Sequence, residues 1–374
     1  MNHLNRRQWL KTAGITGAFT FLGIPRSFTE TTLSPKIPTD LALNPVTKLN
    51  ANENPYGPSQ KVREALVRGF EKACRYPFTE REELQKLLAE KEGLTPDHII
   101  ITVGSTEGLK ITGLTYGIGG HEIIAADPVF KALIGYAENF GAFIHRVPLN
   151  DKLEHDLEEM ERRITGNTSL IFLCNPSNPS GTIIPANKLE PFCDAVSERT
   201  LVFSDEAYFD YITEPNYPSM LKFVKKGKNV IVSRTFSKVY GLAGLRIGYL
   251  ISRPDIIARL RKNQVDRPNM LAIFAAKAAL QDPDFYQYSK KMNAEAKQYI
   301  YQTLDELKLT YVPSHTNFVF FKTGREVTEV IDAFEAERVQ VGRPFPPMRD
   351  WCRVSTGTME DVKALGKGMR KVFA

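Results

Sequence analysis

Two hydrophobic rhythms alternate along the first two thirds of the chain. Phe78–Glu92 (FTEREELQKLLAEKE) sets Leu84, Leu87 and Leu88 at i, i+3 and i+4, the spacing of one helix face. Short apolar runs interrupt this pattern: His98–Val103, Glu122–Ala126, Ala142–Val147, Ser169–Cys174, Leu201–Ser204, Val230–Ser233 and Ile247–Ile251. Thr106–Tyr116 between the first two reads as another helix. Runs apolar on both faces suit strands covered on both sides, so the alternation predicts an α/β fold with a mostly parallel sheet. From about Asp255 the texture changes to long helices, apolar at Met270–Leu280 and charged at Phe285–Leu307. Thr316–Phe321 and Trp351–Ser355 then read as strands, with helices at Glu326–Glu337 and from Met359. This predicts a second, smaller α+β domain, and 374 residues suit two domains.

Composition adds limits. With 42% hydrophobic and 25% charged residues the chain matches ordinary globular proteins, which excludes disordered, collagen-like and polytopic membrane classes. The formal charge of +6 raises the question of nucleic acid, but its location answers it. Before Ile37 lie Arg6, Arg7, Lys11, Arg26 and Lys36 against Glu30 alone, a net +4, leaving +2 for the remainder. No nucleic-acid partner is expected. Paired arginines, Trp9-Leu10, Lys11 and the weakly apolar run Thr12–Ile24 resemble a twin-arginine-type signal over residues 1–30. That run is too short and polar for a stable membrane span. Export, periplasmic or otherwise, is the expectation, with a cytoplasmic protein bearing an N-terminal arm as the alternative. The four cysteines form no CxxC pair and the six histidines no HExxH spacing, so no metal site is expected.

Four segments fit together chemically. In Thr235-Phe236-Ser237-Lys238, followed by Gly241, Gly244 and Arg246, a lysine lies among hydroxyls, glycines and an arginine. Arginine binds phosphate bidentately, and small residues allow close approach. A phosphorylated aldehyde joined to the lysine amine as a Schiff base satisfies both, and pyridoxal phosphate is the common one. Asp205 ends an apolar strand, where it can face a pyridine nitrogen, with Tyr208 three residues on as a hydroxyl for the ring oxygen. Asn178, in Asn175-Pro176-Ser177-Asn178-Pro179, can donate to the same oxygen. Val103-Gly104-Ser105-Thr106 joins a strand to a helix whose N-terminus can receive the phosphate, and Phe130 follows another strand as a ring to stack.

This ordered set, with Asn50-Ala51-Asn52-Glu53-Asn54-Pro55-Tyr56-Gly57-Pro58 ahead of it, resembles the fold type I pyridoxal phosphate aminotransferases, in their histidinol-phosphate aminotransferase branch. The resemblance runs from about Lys48 to the C-terminus. It implies a large domain with a mostly parallel seven-stranded sheet plus a smaller α+β domain. The chain then divides into a signal (1–30), an N-terminal arm with part of the small domain (31–75), a large cofactor-binding domain (76–268) and a small C-terminal domain (269–374). The resemblance implies that Lys238 carries the cofactor and moves the proton, Asp205 pairs with the ring nitrogen, and Asn178 and Tyr208 hold the ring oxygen while Phe130 stacks. Ser105, Thr106, Ser237 and Arg246, with Thr235, form the phosphate cup. Tyr56 reaches the neighbouring subunit's phosphate, which implies a homodimer. Arg353 clamps the substrate carboxylate, and Arg343 lies where the branch carries an arginine for a substrate phosphate. Tyr56 and Asn178 also border the substrate.

The implied reaction is ping-pong transfer of an amino group between an amino acid, or a histidinol phosphate-like amine, and a 2-oxo acid. Pro344-Phe345-Pro346-Pro347-Met348 departs from the pattern of the biosynthetic enzymes, and an export signal fits poorly with histidine synthesis. The donor therefore stays open, aromatic or imidazole-bearing. A pyridoxal phosphate lyase or cyclase would keep every ring-binding residue. A cofactor-bearing regulatory module fits less well, because Lys238 and Arg353 are retained and no DNA-binding domain is added. A nicotinamide dehydrogenase lacks its GxGxxG.

Overall fold

The computed structural model describes residues 46–374. The expected signal at residues 1–30 lies outside them. Its strands are β1 (Thr47–Lys48), β2 (Ile99–Thr102), β3 (Glu122–Asp127), β4 (Phe143–Pro148), β5 (Thr168–Cys174), β6 (Leu201–Asp205), β7 (Val230–Thr235), β8 (Gly248–Ile251), β9 (Tyr311–Val312), β10 (Phe318–Lys322), β11 (Val339–Gln340) and β12 (Trp351–Ser355).

Seven of them form one sheet in the order β2-β8-β7-β6-β5-β3-β4. Every apolar run expected as a strand in the first two thirds enters it. β3, β5, β6 and β7 pair in parallel, and their inner residues are fully buried, as their unbroken apolar sequences require. β8 runs antiparallel to both β7 and β2. The reason is the connection: residues 236–247 contain only a single 3-10 turn, Ala243–Leu245, and no crossover helix to return the chain in parallel. That segment carries Lys238.

The helix Gly104–Gly117 starts directly after β2 and packs across β8 and β7. Gly248 at the start of β8 makes this possible: a Cβ there would lie 2.7 Å from the Ser105 backbone nitrogen. The helix start is thereby pressed onto the sheet's carboxyl edge.

A second, three-stranded antiparallel sheet, β12-β10-β9, packs with the helices Pro283–Glu306, Val327–Ala336 and Met359–Val372 around its own core of Val319, Phe321, Phe334, Val354 and Leu365. β1, from the N-terminal arm, pairs in parallel with β11 and places Leu49 in that core. The start of the arm thus belongs to the smaller core, whereas its helix Gln60–Gly69 buries Val62 in the larger core together with Ala272, Ile273 and Ala276 of the helix Met270–Leu280, a helix expected in the small C-terminal domain. A third cluster, Ala207, Tyr208, Tyr211, Val239 and Phe318, joins residues following β6 and β7 to β10. It forms the seam on which the candidate site is built. No helix among the described residues is long and apolar enough to cross a membrane.

Candidate active site

The carboxyl ends of β5, β6 and β7 open on a cavity of about 350 Å³. Ser105, Thr106, Phe130, Asn178, Asp205, Tyr208, Ser237, Lys238, Arg246 and Arg353 line it, with Ala51, Asn52 and Glu53 of the arm. Most of the expected set is therefore brought together from six separate segments.

Lys238 is half-buried, and its Nζ donates to the Asn52 carbonyl at 2.7 Å. Burial, followed by the positive Arg353 and Arg246, pulls the amine down to about 8. A near-neutral amine is what both nucleophilic attack and proton abstraction require. Asp205 is 3% exposed, and burial pushes its carboxyl up to about 7. Its Oδ1 accepts the Ala207 N–H at 3.3 Å, and among the described residues no cation forms an ion pair with it. The neighbouring Glu206 is turned away, held by Arg234 at 2.7 Å, by Ser219 and by the Met220 N–H. Two adjacent carboxylates thus serve different ends: one is tied into the wall, the other faces the cavity.

Arg353 is 8% exposed and donates to Asn178 Oδ1 at 2.6 Å and to the Asn50 carbonyl at 3.1 Å. It lies against the rings of Phe318 and Phe345, and its Nε has no partner. Burial lowers it to about 10. A buried guanidinium whose hydrogen-bond partners are neutral groups is suited to pairing with an anion. Its bond to the Asn178 oxygen also leaves that amide's NH₂ group for another acceptor.

At the opposite wall, Glu107 takes up only the Val103 N–H, at 2.6 Å, and the N-cap residue Val103 has no side chain to cap the helix starting at Gly104. Its first N–H groups are available, and Arg246 reaches them because Gly104, at φ 72°, has no Cβ; one there would lie 2.5 Å from Arg246 Nη2. Ser105, Thr106 and Ser237 add hydroxyls. A dianionic phosphate fits this end, a protonated ring nitrogen fits the isolated Asp205, and an aldehyde carbon between them would meet Lys238. The residues present therefore fit pyridoxal phosphate.

Three expected residues lie outside the cavity lining. Thr235 is buried behind the wall, where its Oγ1 accepts the Ser237 N–H at 3.1 Å; it shapes the loop and does not line the cup. Arg343 is exposed, stacked on Phe345 at 4.5 Å beside Arg353. Tyr56 packs edge-on against Tyr288 and does not line the cavity. Sequence reasoning missed Asn52, although it lies within the quoted Asn50–Pro58 segment; its left-handed backbone, φ 53°, has no signature beyond its being an asparagine. A larger cavity of about 760 Å³, lined by Tyr76, Phe78, Arg81, Arg261, Val265 and Arg267, includes none of the expected residues.

Fold and cavity together define a fold type I pyridoxal phosphate-dependent transferase. Residues 44–367 match the family "Aminotransferase class I and II", and the chain belongs to it, in the histidinol-phosphate aminotransferase-like branch. It is 39% identical over 341 residues to the histidinol-phosphate aminotransferase of Moorella thermoacetica, covering 90% of this chain and 87% of that one. The corresponding enzyme of Caldicellulosiruptor saccharolyticus is 36% identical over 91% of this chain and 98% of its own. A crystal structure of histidinol-phosphate aminotransferase from Sinorhizobium meliloti with pyridoxal-5'-phosphate superimposes with a TM-score of 0.82 at 26% identity, covering 92% of this chain and 99% of that one. The protein is a pyridoxal phosphate-dependent aminotransferase working by a ping-pong mechanism.

Proposed function

We propose that the amino donor is an amino acid or phosphorylated amino alcohol with an imidazole or aromatic side chain, its anionic group held by Arg353, and that a 2-oxo acid is the acceptor. The observation that carries this reading is the buried Arg353 guanidinium, which has neutral partners only and stands in the same cavity as Lys238. Arg343, exposed beside it, supplies a second positive charge for a larger anion such as a phosphate. The relatives' names point to histidinol phosphate as one member of this class.

When bound, the cofactor supplies the electron sink that acidifies the donor's Cα–H and carries the amino group between the two half-reactions. Asp205 holds the ring nitrogen's proton by its charge. Tyr208 and Asn178 donate to the ring oxygen, Phe130 covers the ring, and Ser105, Thr106, Ser237 and Arg246 hold the phosphate. The neutral Lys238 amine would take the proton from the donor's Cα and hold it within the cavity for its return. The test is a spectral screen, adding histidinol phosphate, histidine and aromatic amino acids singly to cofactor-loaded protein. Donors of the proposed class should bleach the visible band and release their oxo product. If only unrelated donors such as aspartate do so, the substrate reading fails. Lys238→Ala should lose about 10²–10⁴-fold in this half-reaction.

The reading extends to a homodimer in which Tyr56 contacts the partner's cofactor phosphate. Its support is the exposure of Val67 (69%), Phe70 (62%), Tyr76 (83%) and Val265 (86%), large apolar side chains that a monomer would leave in water. It extends also to export by residues 1–30, supported by Arg6-Arg7 and the apolar run after them. Cell fractionation with and without Arg6→Lys/Arg7→Lys tests this, retention of the variant inside the cell being the expected outcome.

A further inference from the structure

Asn52 has four polar contacts and none of them is to solvent. It is 2% exposed and sits in the left-handed region at φ 53°. Its carbonyl accepts from Lys238 Nζ at 2.7 Å, and its backbone N–H donates to Ser355 Oγ at 2.8 Å. In the side chain, Oδ1 accepts from Ser355 Oγ at 2.8 Å, and Nδ2 donates to the Tyr208 hydroxyl at 2.9 Å. Ser355 ends β12, two residues beyond Arg353.

The direction of the last bond has a chemical consequence. A phenol oxygen that accepts a hydrogen bond keeps its own proton for another acceptor. The amide NH₂ offers no lone pair, so the Tyr208 proton is not consumed by Asn52. Tyr208 lines the cavity, and burial raises its pKa far above the neutral range, so the hydroxyl stays protonated there. Ser355 favours this arrangement, because the hydroxyl that receives the Asn52 N–H passes its own proton to Oδ1 and leaves the NH₂ end for Tyr208.

We propose that Asn52 is a positioning residue of the transamination site, which turns the Tyr208 proton into the cavity so that Tyr208 acts as a donor to the cofactor's ring oxygen. The proposal rests on the assignment of Tyr208 as that oxygen's partner. A donor on the ring oxygen stabilises its anionic form and weakens its hold on the neighbouring nitrogen's proton. Without it, that proton is released at higher pH.

The test is a pH titration of the visible absorption of the cofactor-loaded protein, for the parent, Asn52→Gly, Tyr208→Phe and the double variant. Glycine accepts φ 53° without strain and so keeps the carbonyl under Lys238 while removing only the amide. Tyr208→Phe is expected to raise the midpoint by about one pH unit, and Asn52→Gly to raise it in the same direction by part of that. The double variant should titrate like Tyr208→Phe alone, because Asn52 has no hydroxyl left to orient. Asn52→Gln, whose longer amide misplaces the donor, should not restore the parent midpoint. If Tyr208→Phe shifts the midpoint but Asn52→Gly leaves it at the parent value, or the two shifts add in full, the Asn52 proposal is overturned and the site assignment stands. If Tyr208→Phe itself leaves the midpoint unchanged, both are overturned.

Discussion

Lys238 owes its reactivity to its neighbours. A lysine amine ordinarily titrates near 10.5; burial and the positive charge of Arg353 bring this one to about 8. Below that value it is protonated and cannot attack a carbonyl; above it, it is neutral and can. The rate at which ligand-free protein recaptures pyridoxal phosphate, followed by stopped-flow absorbance, should therefore rise with pH and level off just above 8. A rate still climbing beyond pH 10 would contradict this environment. Arg353 carries a different argument, because its value lies in a planar pair of donors at a fixed place. Arg353→Lys keeps the charge but loses the fork and the bond to Asn178. It should lower kcat/KM for the amino donor by about ten- to a hundredfold while leaving the visible spectrum of the bound cofactor intact, as steady-state kinetics and absorbance will report.

At the level of elements, the site depends on close approaches that only glycine permits. Gly104 lets Arg246 lie against the start of the helix Gly104–Gly117, and its φ of 72° is costly for any residue with a Cβ. Gly104→Ala should weaken cofactor binding by about tenfold or more, measured by equilibrium dialysis, because the guanidinium must retreat from the phosphate end. Gly57 and Gly241 show the same logic between the arm and the lysine loop: a Cβ on Gly57 would lie 2.6 Å from the Gly241 Cα. Gly57 entered the sequence reading only as part of the segment carrying the family resemblance; that it is a surface on which the lysine loop rests became visible only when the two segments met. The central strands of the large sheet were legible because each is an apolar run, the edge strand β4 because Ile144 and Val147 are buried between exposed or half-buried positions, and the helix Phe78–Glu92 because of its leucine spacing, its bounds matching the expected ones. The reversal of β8 was not legible, because periodicity reports burial and carries no strand direction. β1, β9 and β11 are two-residue strands with no periodicity to read.

For the whole molecule, the proposed dimer makes the cofactor site a shared one. Phe70→Glu, at an exposed apolar position of the arm, should shift sedimentation toward the monomer and weaken cofactor retention in parallel, since a monomer lacks the partner's Tyr56. A variant that sediments as a monomer yet retains cofactor fully would sink the shared site. The charge balance belongs to this scale too: with +4 of the +6 placed before Ile37, the remaining chain is nearly neutral overall. Its functional positive charge is local, at Arg246 and Arg353.

The sequence by itself determined the α/β class, the order of elements, the cofactor chemistry and most of the cavity lining. It could do so because turn glycines, strand-ending polar residues and buried apolar runs act over a few neighbouring positions. Tertiary structure alone decided that Thr235 stands behind the wall, that Arg353 shares its hydrogen bonds between Asn178 and the arm, and that Asn52 joins Lys238, Tyr208 and Ser355. Those contacts span separations of up to 303 residues, and nothing in the local pattern at either end specifies which distant partner a buried polar group will meet.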